Sequence, residues 1–89
     1  MEENKVIIPI VVIEHKHSGF EIYSPDFDMS VYGKDYITAI ASATHKMSAI
    51  YYYNLERNYK FELTCTLEDA EKLVGRNANR FSSYTTLIP

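Results

Sequence analysis

The twelve residues SPDFDMSVYGKD, Ser24–Asp35, decide the architecture of this chain. Pro25 fixes φ, biases Ser24 toward extended backbone and cannot carry a strand ladder further. Asp26 can hydrogen-bond its own following backbone, so Ser24-Pro25-Asp26 ends one strand in a turn. Met29 to Tyr32 then forms another short strand. Gly33 supplies whatever backbone the exit requires, a positive φ included, and a β-branched residue there would be disfavoured if that φ is positive. Asp35 is a good N-cap for a helix beginning at Tyr36. A strand, a corner, a strand and a hinge stand directly in front of that helix.

Upstream, FEIY (Phe20–Tyr23) alternates, with Phe20 and Ile22 on one face and Glu21 and Tyr23 on the other. EHKHSG is polar and ends in glycine, as a hairpin turn does. VIIPIVVI (Val6–Ile13) is β-branched almost throughout and reads as a strand. Its apolar residues on both faces predict cover on both sides, by a helix and by a second subunit. Pro9 has no N–H to donate, which predicts an edge position, a local break or an unpaired nitrogen side.

Downstream, the chain runs from Tyr36 to Asn58 without glycine or proline. Ile37, Ile40, Ala41, Thr44, Met47, Tyr51 and Leu55 recur at three- and four-residue steps, the stripe of one helix face. Ala39 and Ala43 flank it and allow a sheet to approach closely, and Asn58 can end the helix. YKFELT is expected as a short extended return. Thr66 with Asp69 predicts a capping box for a helix over LEDAEKLV, with Gly75 just past its end. NANRFSS reads as a loop and YTTLI as a last strand. The expected fold is α+β: a small antiparallel sheet in the order β-β-β-α-α-β, with one long helix packed on one face.

Bulk properties narrow the function. The 89 residues make a single small domain able to bury only ~60–65% of its unfolded surface. Eight tyrosines suit a partner interface, and together with the doubly apolar first strand they predict a homo-oligomer, with a dimer favoured. The net charge is −3 with no basic cluster, which argues against direct nucleic-acid binding and for a basic protein partner. One cysteine, Cys65, excludes an intrachain disulfide. The acidic start is wrong for a signal peptide, and Val6–Ile13 is far short of the ~20 residues of a membrane helix. A cytoplasmic location is expected.

The hairpin ending GFEIYSPDF (Gly19–Phe27), followed by VYGKDYITAIASA (Val31–Ala43), resembles the HicB family, antitoxins of bacterial toxin–antitoxin pairs. Gly19 and Phe20 match that family's Gly-Tyr strand, and Pro25-Asp26-Phe27 match its Phe-Pro-Asp-Leu corner. Gly33 matches the glycine of its Gln-Gly-Asp hinge, and Ala39 and Ala43 match its small helix positions. Tyr32 replaces the usual glutamine, and Ile37-Thr38 replace paired glutamates. The similarity runs from about Ile8 to Leu55. It implies a HicB-like, partial ribonuclease-H-like unit that oligomerises and neutralises a HicA-like ribonuclease toxin by covering its active surface. It implies no catalysis and no cofactor. Many such proteins add a DNA-binding module; with none expected here, this chain should not repress its operon alone.

Candidate site residues are chosen by residue type. Asp26 and Asp28, with whichever of Tyr51, Tyr52 and Tyr53 are exposed, are the expected partner contacts. Consecutive helical residues lie about 100° apart, so one tyrosine packs inward and at least one faces out. His15 and His17 form a His-x-His pair, read as solvated turn histidines because no third ligand is placed. The acids Asp26, Asp28 and Asp35 would suit a hard metal only if they converged, and two of them have turn and cap duties. Cys65 reads as a small hydrophobe. The alternatives are an orphan interaction or structural protein of the same fold, and a small metal-dependent hydrolase using the corner acids or the histidines. The charge balance gives the first prediction: in a low-salt mobility-shift assay, this chain alone produces no sub-micromolar shift of duplex DNA or RNA.

Overall fold

The computed structural model describes residues 6–59, 62–76 and 78–87. Its elements are β1 (Val6–His15), β2 (Gly19–Ser24), β3 (Met29–Gly33), α1 (Tyr36–Glu56), α2 (Leu67–Val74) and β4 (Arg80–Leu87). The four strands form one antiparallel sheet in the order β3-β2-β1-β4. This is the expected α+β class with the expected order of elements. Lys60 and Phe61 of the expected extended return, and Ile88 of the expected last strand, lie outside the described residues.

β1 is an interior strand, which corrects the edge expectation raised by Pro9. The Glu14 N–H donates to the Asn79 carbonyl at 2.8 Å, toward β4. Backbone groups alternate sides along a strand, so the Pro9 nitrogen, five residues earlier, points toward β2. There the ladder is already over: its last pair is Val11 with Tyr23. Two places further the same register would set Pro9 opposite Pro25, and neither has an N–H to give. Pro9 sits in a central strand because its donor-less side falls where β2 has turned away.

Ile8, Ile10, Val12 and Ile22 point to one face and meet Ala39, Ala43 and Met47 of α1, with Leu87 closing the end. Each of these side chains is at most 1% exposed, and fully burying an Ile, Met or Leu contributes about 1.5–3 kcal/mol. The helix is rotated from the expected stripe. Ile37 is 76% exposed and Leu55 43% exposed, while Ala39 and Ala43 face the sheet. Ile37 and Leu55 lie six residues before and twelve residues after Ala43, each roughly 120° around the helix from it. The cause is closeness: only the alanines are small enough for the distance at which α1 crosses.

Gly33 sets that distance. Its φ is not positive, so a left-handed backbone is not what requires glycine here. What it lacks is room: a Cβ there would sit 2.5 Å from the Ala39 nitrogen and 2.6 Å from its Cα. Gly19, whose φ is 96°, likewise lies against the Gly33 carbonyl, where a Cβ would collide. Asp35 caps the helix by accepting from the Thr38 N–H at 2.7 Å, and Asn58, at φ 58°, stands just past its C-terminal cap. The Thr44 hydroxyl donates to the Ile40 carbonyl at 2.8 Å and so must accept from Thr85, 2.7 Å away, tying α1 to β4.

α2 covers the other face. It packs on β1 and β4 yet does not touch α1. Its Ala70 is buried, as are Pro9 and Val11 on the face opposite the α1 core. The second cover of β1, expected from another subunit, is therefore supplied over Pro9 and Val11 by this chain's own short helix. Thr66 and Asp69 form the expected capping box, with reciprocal bonds of 3.0 Å, and Gly75 ends the helix at φ 61°. Gly33→Ala should lower stability by about 1–3 kcal/mol, the usual cost of overpacking, although its backbone is ordinary. Chemical denaturation checks this, and an unchanged midpoint would show that α1 does not need the approach.

Candidate functional site

The Pro-Asp-Phe corner is built by short-range bonds. The buried Ser24 hydroxyl accepts from the Phe27 N–H at 3.3 Å, and the Asp28 N–H donates to the Pro25 carbonyl at 3.3 Å. Phe27 turns in against the α1 core. Asp28 is exposed at φ 48°, a left-handed position that aspartate tolerates better than most residues. Asp26 does something its local sequence does not announce. Its Oδ1 accepts from the Thr64 N–H at 2.8 Å and the Cys65 N–H at 2.9 Å, 38 and 39 residues away. The carboxylate clips the connector as it leaves the α1 face, where Leu63 still packs on the core, for α2 on the other side.

Residue type alone places Asp26 at a partner contact. Its Oδ1 is instead committed to the fold, and among the described residues nothing bonds the buried Oδ2. Asp28 keeps the exposed role. Asp35 is occupied as a helix cap, which holds its carboxyl below the usual range through the bonds from Thr38. Among the described residues no group of three or more His, Cys, Asp and Glu is placed to hold a metal ion. Burial beside Asp26 and Asp69 pushes the Cys65 thiol up, and its Sγ donates to the Thr66 carbonyl at 3.4 Å.

The tyrosines divide as helix geometry requires. Tyr51 packs on the core and meets Tyr52 edge-on, with centroids 6.0 Å apart. Tyr52 and Tyr53 are exposed, Tyr53 by 58%. Arg57 lies over the Tyr53 ring at 5.3 Å and donates to its hydroxyl at 2.9 Å, holding that ring in place. α1 starts where Tyr36 meets Phe20 and Phe81, and passes Thr85 at Thr44. Its C-terminus therefore runs to the end of the sheet where β2 turns at Pro25. The topology gathers Asp28, Tyr52 and Tyr53 at one end of the molecule, together with the exposed Leu55 and Tyr59, which residue spacing does not single out as surface groups. The helix is turned only partway from the expected stripe, since Ile40, Met47 and Tyr51 of that stripe still pack on the core, and Leu55 is left at its exposed margin.

A second polar group lies on the sheet face away from α1, beyond the reach of α2. His15 Nε2 and Glu21 Oε1 are 2.7 Å apart, and the Tyr32 ring stands 5.8 Å from the imidazole. Partial burial pushes the Glu21 carboxyl up, but bonds from His15, Ser30 and Tyr32 outweigh it, and the net shift is downward. His15 is thus a strand residue with a fixed partner, which corrects its reading as a solvated turn histidine. His17, at φ 71°, is in the turn and exposed. The Ser30 and Tyr32 hydroxyls engage Glu21, which in turn orients the His15 imidazole.

No helix among the described residues is long and apolar enough to cross a membrane. The chain matches no family model, no curated protein and no solved structure with which it was compared. Asp26→Ala removes the acceptor for two backbone N–H groups and should cost about 1–3 kcal/mol. Asp28→Asn keeps a residue suited to positive φ and should leave stability within about 0.5 kcal/mol. Thermal melts of the two variants check the division of duties; equal losses would contradict it.

Proposed function

We propose that this chain is a HicB-like antitoxin domain, a binding protein without catalysis of its own, which neutralises a small basic ribonuclease by direct contact. The observation that carries the reading is that Tyr52, Tyr53, Leu55 and Tyr59 stand exposed at and after the C-terminal turns of α1, toward the same end of the sheet as the corner with its exposed acid Asp28. Rigid aromatic groups of this kind supply contact area at little conformational cost, and they dominate binding energy where partners bury them. Arg57 already fixes one of the rings. The net charge of −3 attracts a basic partner and speeds encounter.

The resemblance at Gly19-Phe20, Pro25-Asp26-Phe27 and Gly33 supplies the partner class, a HicA-like toxin. The geometry supports that reading by giving each motif residue a structural duty and leaving the aromatic end for recognition. An orphan domain with the same fold would keep the surface and lack the toxin. The hydrolase alternative rests on the His15–Glu21 pair, which has no metal cluster beside it among the described residues.

The test is co-expression with the short basic protein encoded by the adjacent reading frame. The expected result is rescue of growth and co-purification of the pair. Tyr53→Ala combined with Asp28→Asn should weaken the complex at least about tenfold, the scale of a lost aromatic anchor. Failure to capture or neutralise that protein would overturn the reading.

A further inference from the structure

β4 is an open edge with an unusual capacity for pairing. The Glu14–Asn79 bond fixes which backbone groups face β1, so by alternation Arg80, Ser82, Tyr84 and Thr86 turn their N–H and C=O groups away from the sheet. The same alternation carried across the sheet leaves only Ser30 and Tyr32 turned outward on β3, the opposite edge. Among the described residues no other backbone group bonds to the β4 edge. Its sequence, RFSSYTTL, has one charge, at its start, and no proline or glycine, and its register against β1 is continuous. Charges, prolines and bulges are the devices by which natural edges refuse another strand, and β4 carries only the terminal arginine.

We propose that β4 pairs antiparallel with β4 of a second copy about a two-fold axis at Ser83, joining two four-stranded sheets into one continuous sheet. A two-fold normal to the sheet keeps its faces, so paired residues must both be even or both odd. Centred on Ser83, Arg80 pairs with Thr86 and Ser82 with Tyr84, and every outward group of both copies is hydrogen-bonded. Centred on Tyr84, Arg80 would face position 88, outside the described residues. Self-complementarity of this kind singles out a second copy over an unrelated strand.

The side chains agree. Arg80 meets Thr86 of the other copy, so like charges do not face each other. It joins the sheet face where Glu71 helps line a groove of about 260 Å³ with Leu67, Ser82 and Tyr84, which brings opposite charges of the two copies to one side. On the α1 face Phe81, 44% exposed, is set beside Thr85 of the other copy. The surface is distinct from the aromatic end and does not rest on the antitoxin reading.

Ser82→Pro tests the pairing, because the N–H it removes points outward and its ring blocks the edge while the bonds to β1 remain. By light scattering at high micromolar concentration, the unaltered chain should give twice the 10.3 kDa chain mass and Ser82→Pro the single mass. In a Cys65→Ser background, Ser83→Cys should form an intermolecular disulfide on mild oxidation, since the two positions meet at a non-hydrogen-bonded pair. Should Ser82→Pro lose its circular-dichroism signature, the disulfide arm decides alone. A monomer at every concentration, or a dimer that survives Ser82→Pro while Ser83→Cys fails to cross-link, would overturn the proposal.

Discussion

The structure depends on how closely α1 approaches the sheet at Gly33. A Cβ at that position would meet the Ala39 backbone, and no other residue type leaves room for the helix to begin where it does. This contact produces the rotation that turns Ala39, Ala43 and Met47 onto Ile8, Ile10, Val12 and Ile22, and the outward placement of Ile37 and Leu55. The path of α1 also delivers its tyrosine-rich end to the Pro25 corner. A wider crossing would admit larger side chains beneath the helix and turn a different face to solvent.

Asp26 is the second fixed point. By holding Thr64 and Cys65 it sends the chain from one sheet face to the other, and α2 then buries Pro9 and Val11. Two helices on opposite faces of a small sheet cover β1 from Ile8 to Val12 with the chain's own residues. What remains exposed is then meaningful: an aromatic end, a polar cluster around Glu21, and the long edge of β4. The polar cluster is bonded within itself, the aromatic end exposes large apolar side chains, and the edge presents backbone groups without partners among the described residues.

Much of this was legible in residue types acting over short range. Ser24-Pro25, Asp35, the Thr66–Asp69 box, Gly75 and Asn58 announce strand ends and helix caps because their chemistry acts within a few residues. Pro9 announced an unpaired nitrogen side, and whether that meant an edge depended on where the neighbouring strand stops. The duties of Asp26 and His15 were hidden because their partners lie elsewhere in the fold, Asp26's nearly forty residues away. The helix stripe was misread because spacing alone cannot tell Ile37 from Ala39 as the inward residue. A steric limit set by Gly33 decides it.

The central claim is that recognition belongs to the end formed by the corner and the α1 C-terminus. Chemical-shift mapping addresses it directly, by titrating the isotopically labelled chain with the product of the adjacent reading frame. The account predicts that the perturbed amides cluster at Asp28, Tyr52, Tyr53, Leu55 and Tyr59. Perturbations centred on His15, Glu21 and Tyr32 instead, or none at saturating partner, would contradict it.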